Sequence, residues 1–140
     1  NFIHKYKFFP SLSSGKGKIQ PLYYKDLVDA ILSCIYGKNI NGSFNITGKE
    51  CLNYHQFYGE IFTALKLKTR IINVPYYLSI NVARLLELIK GKDFIISVER
   101  IKRLREIKCF SNYDSLKKNL YKPTPFKKGI RNQVQELKKS

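Results

Sequence analysis

The sequence predicts an α/β fold, mostly helical with a few short strands, in a single domain over residues 1–140 without an internal boundary. Three observations predict it. Apolar residues recur at helical spacing in four segments, and short β-rich runs bounded by glycine or proline lie between them. The length of 140 residues with 44% hydrophobic content suits one core and rules out wholesale disorder. No series of βαβ units long enough for a doubly wound sheet is present.

Residues 1–7 read as the end of a helix, 8–18 as a turn-rich loop with strand-like ends, and 19–24 as an extended segment. Asp26 sits near the start of the next helix, where an acidic side chain suits the helix dipole. Leu27, Ile31, Cys34 and Ile35 give that helix one apolar face, and Gly37 ends it. Phe44 and Ile46 share one side of a predicted strand over 42–48. Asn53 and Gln56 form a capping box for a helix with Phe57, Ile61, Ala64 and Leu65 inward. A strand over 70–74 leads to Pro75, which suits the first turn of a helix packing through Leu78, Val82, Leu85 and Ile89 and stopping at Gly91. Ser97 caps a basic helix reaching Glu106, and Asp114 caps a short helical turn. Thr124 and Pro125 open a last helix with Phe126, Ile130, Val134 and Leu137 inward.

Charge and cysteine content narrow the function classes. Lys plus Arg number 26 against 10 Asp plus Glu, a formal charge of +16. The cations are spread along the chain, and Arg100, Lys102, Arg103, Arg105 and Lys108 scatter around a helix without forming a stripe. This pattern does not demand nucleic-acid binding. No apolar run approaches the roughly 18 residues of a membrane span, and the basic start through Lys7 leads into a loop, not a signal-peptide core. The chain starts at Asn1, so the expectation is that processing or truncation removed its beginning. Cys34, Cys51 and Cys109 form neither an even framework nor a C-x-x-C pair, and Cys51 with His55 is too few ligands for a metal. The expected state is three buried or half-buried thiols in a reducing cytoplasm.

Inspection finds no complete active site. Gly15 and Gly17 match neither a P-loop nor a dinucleotide fingerprint, whose third glycine is replaced by Gln20. They read as a plain turn, with contact to a phosphate through lysines and backbone amides as the alternative. Tyr113 and Lys117 match Y-x-x-x-K, where the lysine would lower the phenol pKa for proton transfer, but no dinucleotide-binding unit precedes them. His4 and His55 enter no nucleophilic triad, and the acidic residues are unclustered.

Several segments carry a resemblance. Gly15, Gly17 and Pro21 are followed by Asp26-Leu27 and Ala30-Ile31. Asn45-Ile46 are followed by Gly48 and Glu50, Arg103-Leu104 by Glu106, and Pro123 by Pro125-Phe126 and Gly129-Ile130. In this order and spacing they resemble the C-terminal part of the NAD-dependent epimerase/dehydratase family, the extended short-chain dehydrogenase/reductases acting on nucleotide sugars. The departures are Ile19 where many relatives place a diphosphate-contacting Arg, Ile107 in place of an acidic residue, and Asn119-Leu120-Tyr121 for the usual Leu-Gly-Tyr. The family's Rossmann domain, with its glycine fingerprint and catalytic Tyr and Lys, is absent.

The resemblance implies that this chain is the substrate-binding part of an enzyme for polysaccharide biosynthesis. The absent domain would hold NAD or NADP and supply the catalytic residues; this chain alone would bind neither cofactor nor metal. Hydride transfer there would pass through a keto-sugar, and the intact enzyme is expected to be a homodimer. The implied substrate is a nucleotide sugar or a lipid-diphosphate-linked sugar, with Arg103, Lys18 and Gln20 at its diphosphate. The implied location is cytoplasmic, at the inner membrane surface for a lipid-linked substrate. The competing expectation is a non-enzymatic basic domain for polyanions, either nucleic acid or an anionic membrane surface.

Overall fold

The computed structural model describes residues 7–12, 17–37, 40–90 and 96–139. In chain order its elements are β1 (Phe8–Ser11), β2 (Lys18–Ile19), α1 (Tyr24–Tyr36), β3 (Leu52–Asn53), α2 (Tyr54–Ala64) and β4 (Arg70–Asn73). Then come α3 (Tyr76–Lys90), α4 (Val98–Arg103), β5 (Ile107–Lys108), α5 (Tyr113–Lys117) and α6 (Phe126–Leu137). The chain is a mixed α/β protein, about half helical, with a few short strands. Its contacts gather into two units: Asn1–Ile19 with Leu52–Lys108, and Gln20–Cys51 with Cys109–Ser140. The helix end expected over residues 1–7 falls almost wholly outside the described residues, as do Gly15 and the stop at Gly91.

In the first unit β1 and β4 run parallel, from Phe8 beside Arg70 to Ser11 beside Asn73. A three-stranded sheet has the order β3-β2-β5, with β2 antiparallel to β3 and parallel to β5. The capping box forms as read: Asn53 Oδ1 accepts from Gln56 N at 2.8 Å while Gln56 Oε1 accepts from Asn53 N at 3.1 Å, satisfying two otherwise orphan donors. Phe9 packs its ring on Tyr58 and Phe62 of α2, at centroid distances of 4.6 and 5.4 Å. Ser97 Oγ caps α4 by accepting from Arg100 N. Ile80 and Ala83 of α3 meet Ile101 of α4, with Leu12, Ile96 and Val98 packed around them. Glu87 locks the two helices by accepting from Val98 N at 2.7 Å.

In the second unit Ala30, Leu120 and Tyr121 form the buried centre, surrounded by Leu22, Ile40, Phe44, Ile46 and Leu116. Asp26, only 4% exposed, accepts from Thr124 N at 2.6 Å and from Thr124 Oγ1 at 2.7 Å. Glu50 accepts from Phe126 N at the start of α6. Gly48 lies so close to the Pro21 carbonyl that any Cβ would collide with it.

Several expectations need correction. Residues 42–48 are not a strand: side chains satisfy their backbone instead of a neighbouring ladder. The Tyr121 hydroxyl donates to Thr47 O and accepts from Thr47 N, and Ser115 Oγ donates to Asn45 O. The basic helix ends at Arg103 because residues 107–108 leave it to pair with β2. Leu27, Ile31 and Ile35 of α1 are exposed, as are Leu78, Val82, Leu85 and Ile89 of α3 and Leu137 of α6. Their stripes exist, but what each helix buries here is another face: Asp26 and Ala30 in α1, and Ser79, Ile80 and Ala83 in α3. Asp114 lies inside the first turn of α5 and is not its cap.

Cys51 and Cys109 are bonded to each other, with Cα atoms 5.9 Å apart, and Cys34 is a free, exposed thiol. The expectation of three thiols fails because spacing along the chain says nothing about folded distance. Antiparallel β3 begins, and parallel β5 ends, at the Ile19 end of β2, so the register delivers both cysteines to one place.

Asp26→Ala is expected to lower stability by about 1.5–3 kcal/mol, the range for hydrogen bonds to a charged group. Asp29→Ala, one turn on and exposed, should stay within about 0.5 kcal/mol. Urea unfolding of both variants separates them, and equal losses would remove the special role of Asp26.

A pH dependence follows from Glu136. It accepts from Lys25 Nζ and Tyr24 OH, each at 2.6 Å, and the lysine bond first, then the tyrosine bond, holds its carboxyl below the usual range. A depressed carboxyl pKa makes this contribution full above the ordinary glutamate value and lost as pH falls through the lowered one. An NMR titration should show the Glu136 midpoint below that of a free glutamate and rising in Lys25→Ala. An ordinary midpoint in the wild type would refute the pairing in solution.

Candidate functional site

The first unit gathers basic groups around the turn that follows α4. Glu106 N donates to Arg103 O, and Lys18 N donates to Glu106 O at 3.1 Å. Gly17 presses against the Leu104 carbonyl, leaving no room for a Cβ. The segments carrying Lys18 and Arg103 are therefore brought together, and both side chains are exposed. Arg103 Nη2 donates to Glu99 Oε1 at 2.5 Å, an i,i+4 pair on the α4 surface. Exposed pairs of this kind contribute little, so a ligand oxyanion can compete for the guanidinium. Lys18 enters no ion pair among the described residues.

Arg105 adds a group that the sequence analysis did not single out. Its guanidinium lies 4.3 Å from the centroid of the Tyr76 ring, which holds it in place by a cation–π contact. No fixed spacing along the chain signals a pair 29 positions apart. Lys18, Arg103 and Arg105 can offer charge-assisted donors to a phosphate. They supply no acid–base pair or nucleophile.

Gln20 belongs to the second unit, and both ends of its amide are engaged there. Nε2 donates to Gly48 O at 2.9 Å, and Oε1 accepts from Phe110 N at 2.8 Å. Tyr113 and Lys117 lie on α5, both exposed, and His55 is exposed on α2. No group of three or more His, Cys, Asp or Glu among the described residues can hold a metal ion. No helix among them is long and apolar enough to cross a membrane.

The step from β4 to α3 passes through Val74 and Pro75, without the glycines that let a phosphate approach the backbone. Gly17 gives its missing Cβ to the Leu104 carbonyl, which leaves that space filled by protein. The second unit carries a shallow cavity of about 350 Å³ lined by Pro125, Lys127, Lys128, Arg131, Asn132 and Gln135. The sequence signal for it is the i,i+4 spacing of cations and amides along α6.

No protein-family model matches this chain, and no curated protein matches it.

Gln20→Leu is expected to cost about 1–3 kcal/mol in urea unfolding, because it strands Gly48 O and Phe110 N without their partner. A loss within about 0.5 kcal/mol would show that water replaces the amide at no cost and would free Gln20 for a ligand.

Proposed function

We propose that this chain is the substrate-side part of a nucleotide-sugar epimerase or dehydratase, with Lys18 and Arg103 meeting the substrate diphosphate. One observation carries the reading: segments that carry separate family motifs meet each other in the fold. Asp26 of the Asp-Leu motif holds Thr124 of the Pro-rich motif, Glu50 of the Gly-x-Glu motif holds Phe126, and Gly48 packs on Pro21. Gly17 packs likewise on Leu104 of the Arg-Leu motif.

Two features support the absent domain. Among the described residues the parallel pair of β1 and β4 has no third strand, whereas parallel strands belong to sheets covered on both faces. α1 presents Tyr24, Leu27, Val28, Ile31, Leu32 and Ile35 to solvent, a broad stripe suited to a domain core. In the intact enzyme NAD or NADP would belong to that domain, and this chain would bind and orient the sugar nucleotide. Gln20 serves by fixing the Gly48 and Phe110 segments and is withdrawn as a direct diphosphate donor. Arg105 takes its place in the proposal.

The second reading, polyanion binding, rests on the α6 cavity, where three cations converge and no carboxylate lines the wall. Calorimetric titration of the 140-residue chain with UDP-, dTDP- and GDP-glucose, uridine, tripolyphosphate and NAD separates the two. The epimerase reading expects one nucleotide sugar to bind, Arg103→Ala to weaken it by about 2–3 kcal/mol, and uridine to be unaffected. NAD should not bind. Tripolyphosphate binding lost in Lys127→Ala and intact in Arg103→Ala would favour the polyanion reading. Binding of no nucleotide sugar would overturn the first.

A further inference from the structure

We propose that the Cys51–Cys109 bond is a thiol–disulfide exchange site, opened and closed by an anionic monothiol of the glutathione class while the second unit stays folded. The proposal does not depend on the substrate reading. Both cysteines lie in that unit, at the end of its first chain segment and the start of its second, with Cα atoms 5.9 Å apart. Cys51 is exposed and Cys109 half-buried, so an incoming thiol meets the Cys51 side first. Exposed disulfides are the labile ones, because exchange needs a thiolate to reach a sulfur.

Polar contacts tie the same two segments right beside this bond. The Gln20 amide spans them, donating to Gly48 O at 2.9 Å and accepting from Phe110 N at 2.8 Å. Asn45 Nδ2 donates to Ser111 O at 3.2 Å, and Glu50 accepts from Phe126 N at 2.8 Å. Opening the disulfide therefore leaves the segments joined within a few residues of each sulfur. The two thiols stay at high effective concentration, which makes the opening reversible.

Charge selects the thiol. The chain carries +16, and Lys49 and Lys108, close to the two cysteines in sequence, are exposed. Of the nearby carboxylates, Glu106 pairs with Lys108 at 3.4 Å and Glu50 is turned to Phe126 N. The remaining positive field steers an anionic thiolate toward the bond.

The exchange takes two displacements. A monothiolate attacks the Cys51 sulfur, the S–S bond breaks, and Cys109 leaves as a thiolate that takes a proton from solvent. A second monothiolate attacks the monothiol sulfur of the mixed disulfide, and Cys51 leaves and is protonated in turn. Two electrons reduce the protein's bond, while two monothiols lose their protons to solvent and become one small disulfide.

The test uses the full chain in a Cys34→Ser background, equilibrated with glutathione and its disulfide, acid-quenched, alkylated and weighed by mass spectrometry. Dithiol and disulfide forms should coexist across about 1–10 mM glutathione, with the mixed disulfide on Cys51. Circular dichroism of the dithiol form should retain the helices. Gln20→Leu should shift the equilibrium about tenfold toward the dithiol, because it removes a tie that holds the thiols together. Reduction by glutathione should slow about threefold or more in about 0.5 M sodium chloride, and reduction by cysteamine, whose thiolate form is neutral overall, should not. A bond left intact by about 10 mM glutathione would overturn the proposal, as would a mixed disulfide on Cys109 or loss of the helices on reduction. So would an equilibrium unmoved in Gln20→Leu, or an equal response of the two thiols to salt. If Gln20→Leu does not fold, hydrogen exchange at Phe110 N in the dithiol form decides: continued protection supports the retained tie, and free exchange overturns it. Failure of nucleotide-sugar binding would leave all of these results standing.

Discussion

Asp26 holds Thr124 across 98 positions of chain, and the second unit depends on that bond. Its two segments, Gln20–Cys51 and Cys109–Ser140, are separated by 57 residues of the other unit. Helix propensity cannot bring them together, because it acts only within each segment. The work falls to polar groups that reach between them: Asp26 to Thr124, Glu50 to Phe126 N, Tyr121 to Thr47, and the Cys51–Cys109 bond. A buried acceptor is costly when left unmatched, so these contacts specify one arrangement of α1 and α6 as well as stabilising it. The apolar centre is small, which raises the share of the task that falls to them.

The same dependence explains what was legible in the sequence. Caps and stops are local chemistry, and the Asn53–Gln56 box, Ser97, Gly37 and the Pro75 start could all be read from neighbouring residues. The strand expected over 42–48 could not be judged that way. Its alternation of Phe44 and Ile46 is real, and both side chains pack on the Ala30 core. Whether such a segment joins a ladder depends on what reaches its backbone, and here Tyr121 and Ser115 arrive from far along the chain. β5 was missed for the complementary reason: two residues pair with β2 without any periodic signature.

Amphipathic periodicity had a different failure. It locates a stripe on α1 and α3 correctly but cannot say whether this chain covers it. The buried sides of these helices carry Ala30 and Asp26 on α1, and Ser79 and Ala83 beside the single large Ile80 on α3. Small side chains allow close approach, whereas most of the large aliphatic ones on these two helices face outward. For the site, Arg103 and Lys18 were legible as exposed cations in a motif. The bonds of Gln20 to Gly48 O and Phe110 N were not legible, because an amide in a loop looks the same whether it faces a ligand or two backbone groups. Arg105 was hidden because only folding brings Tyr76 beneath it.

Charge and apolar exposure act at different ranges in this molecule. The +16 charge reaches outward by about a Debye length, near 8 Å at physiological ionic strength, and keeps unselected surfaces apart. Burial of aliphatic side chains acts only at contact. A surface can therefore capture a partner here only where it is both apolar and locally uncharged, or where the partner is itself anionic. The turn carrying Lys18, Arg103 and Arg105 offers exposed cations of the kind an anionic partner would need. On the α1 stripe, Lys25 at its start is held by Glu136, and Asp29 is an exposed acidic group of the same helix. That arrangement tolerates a covering layer of either sign, and the width of the stripe, not charge, limits what can cover it.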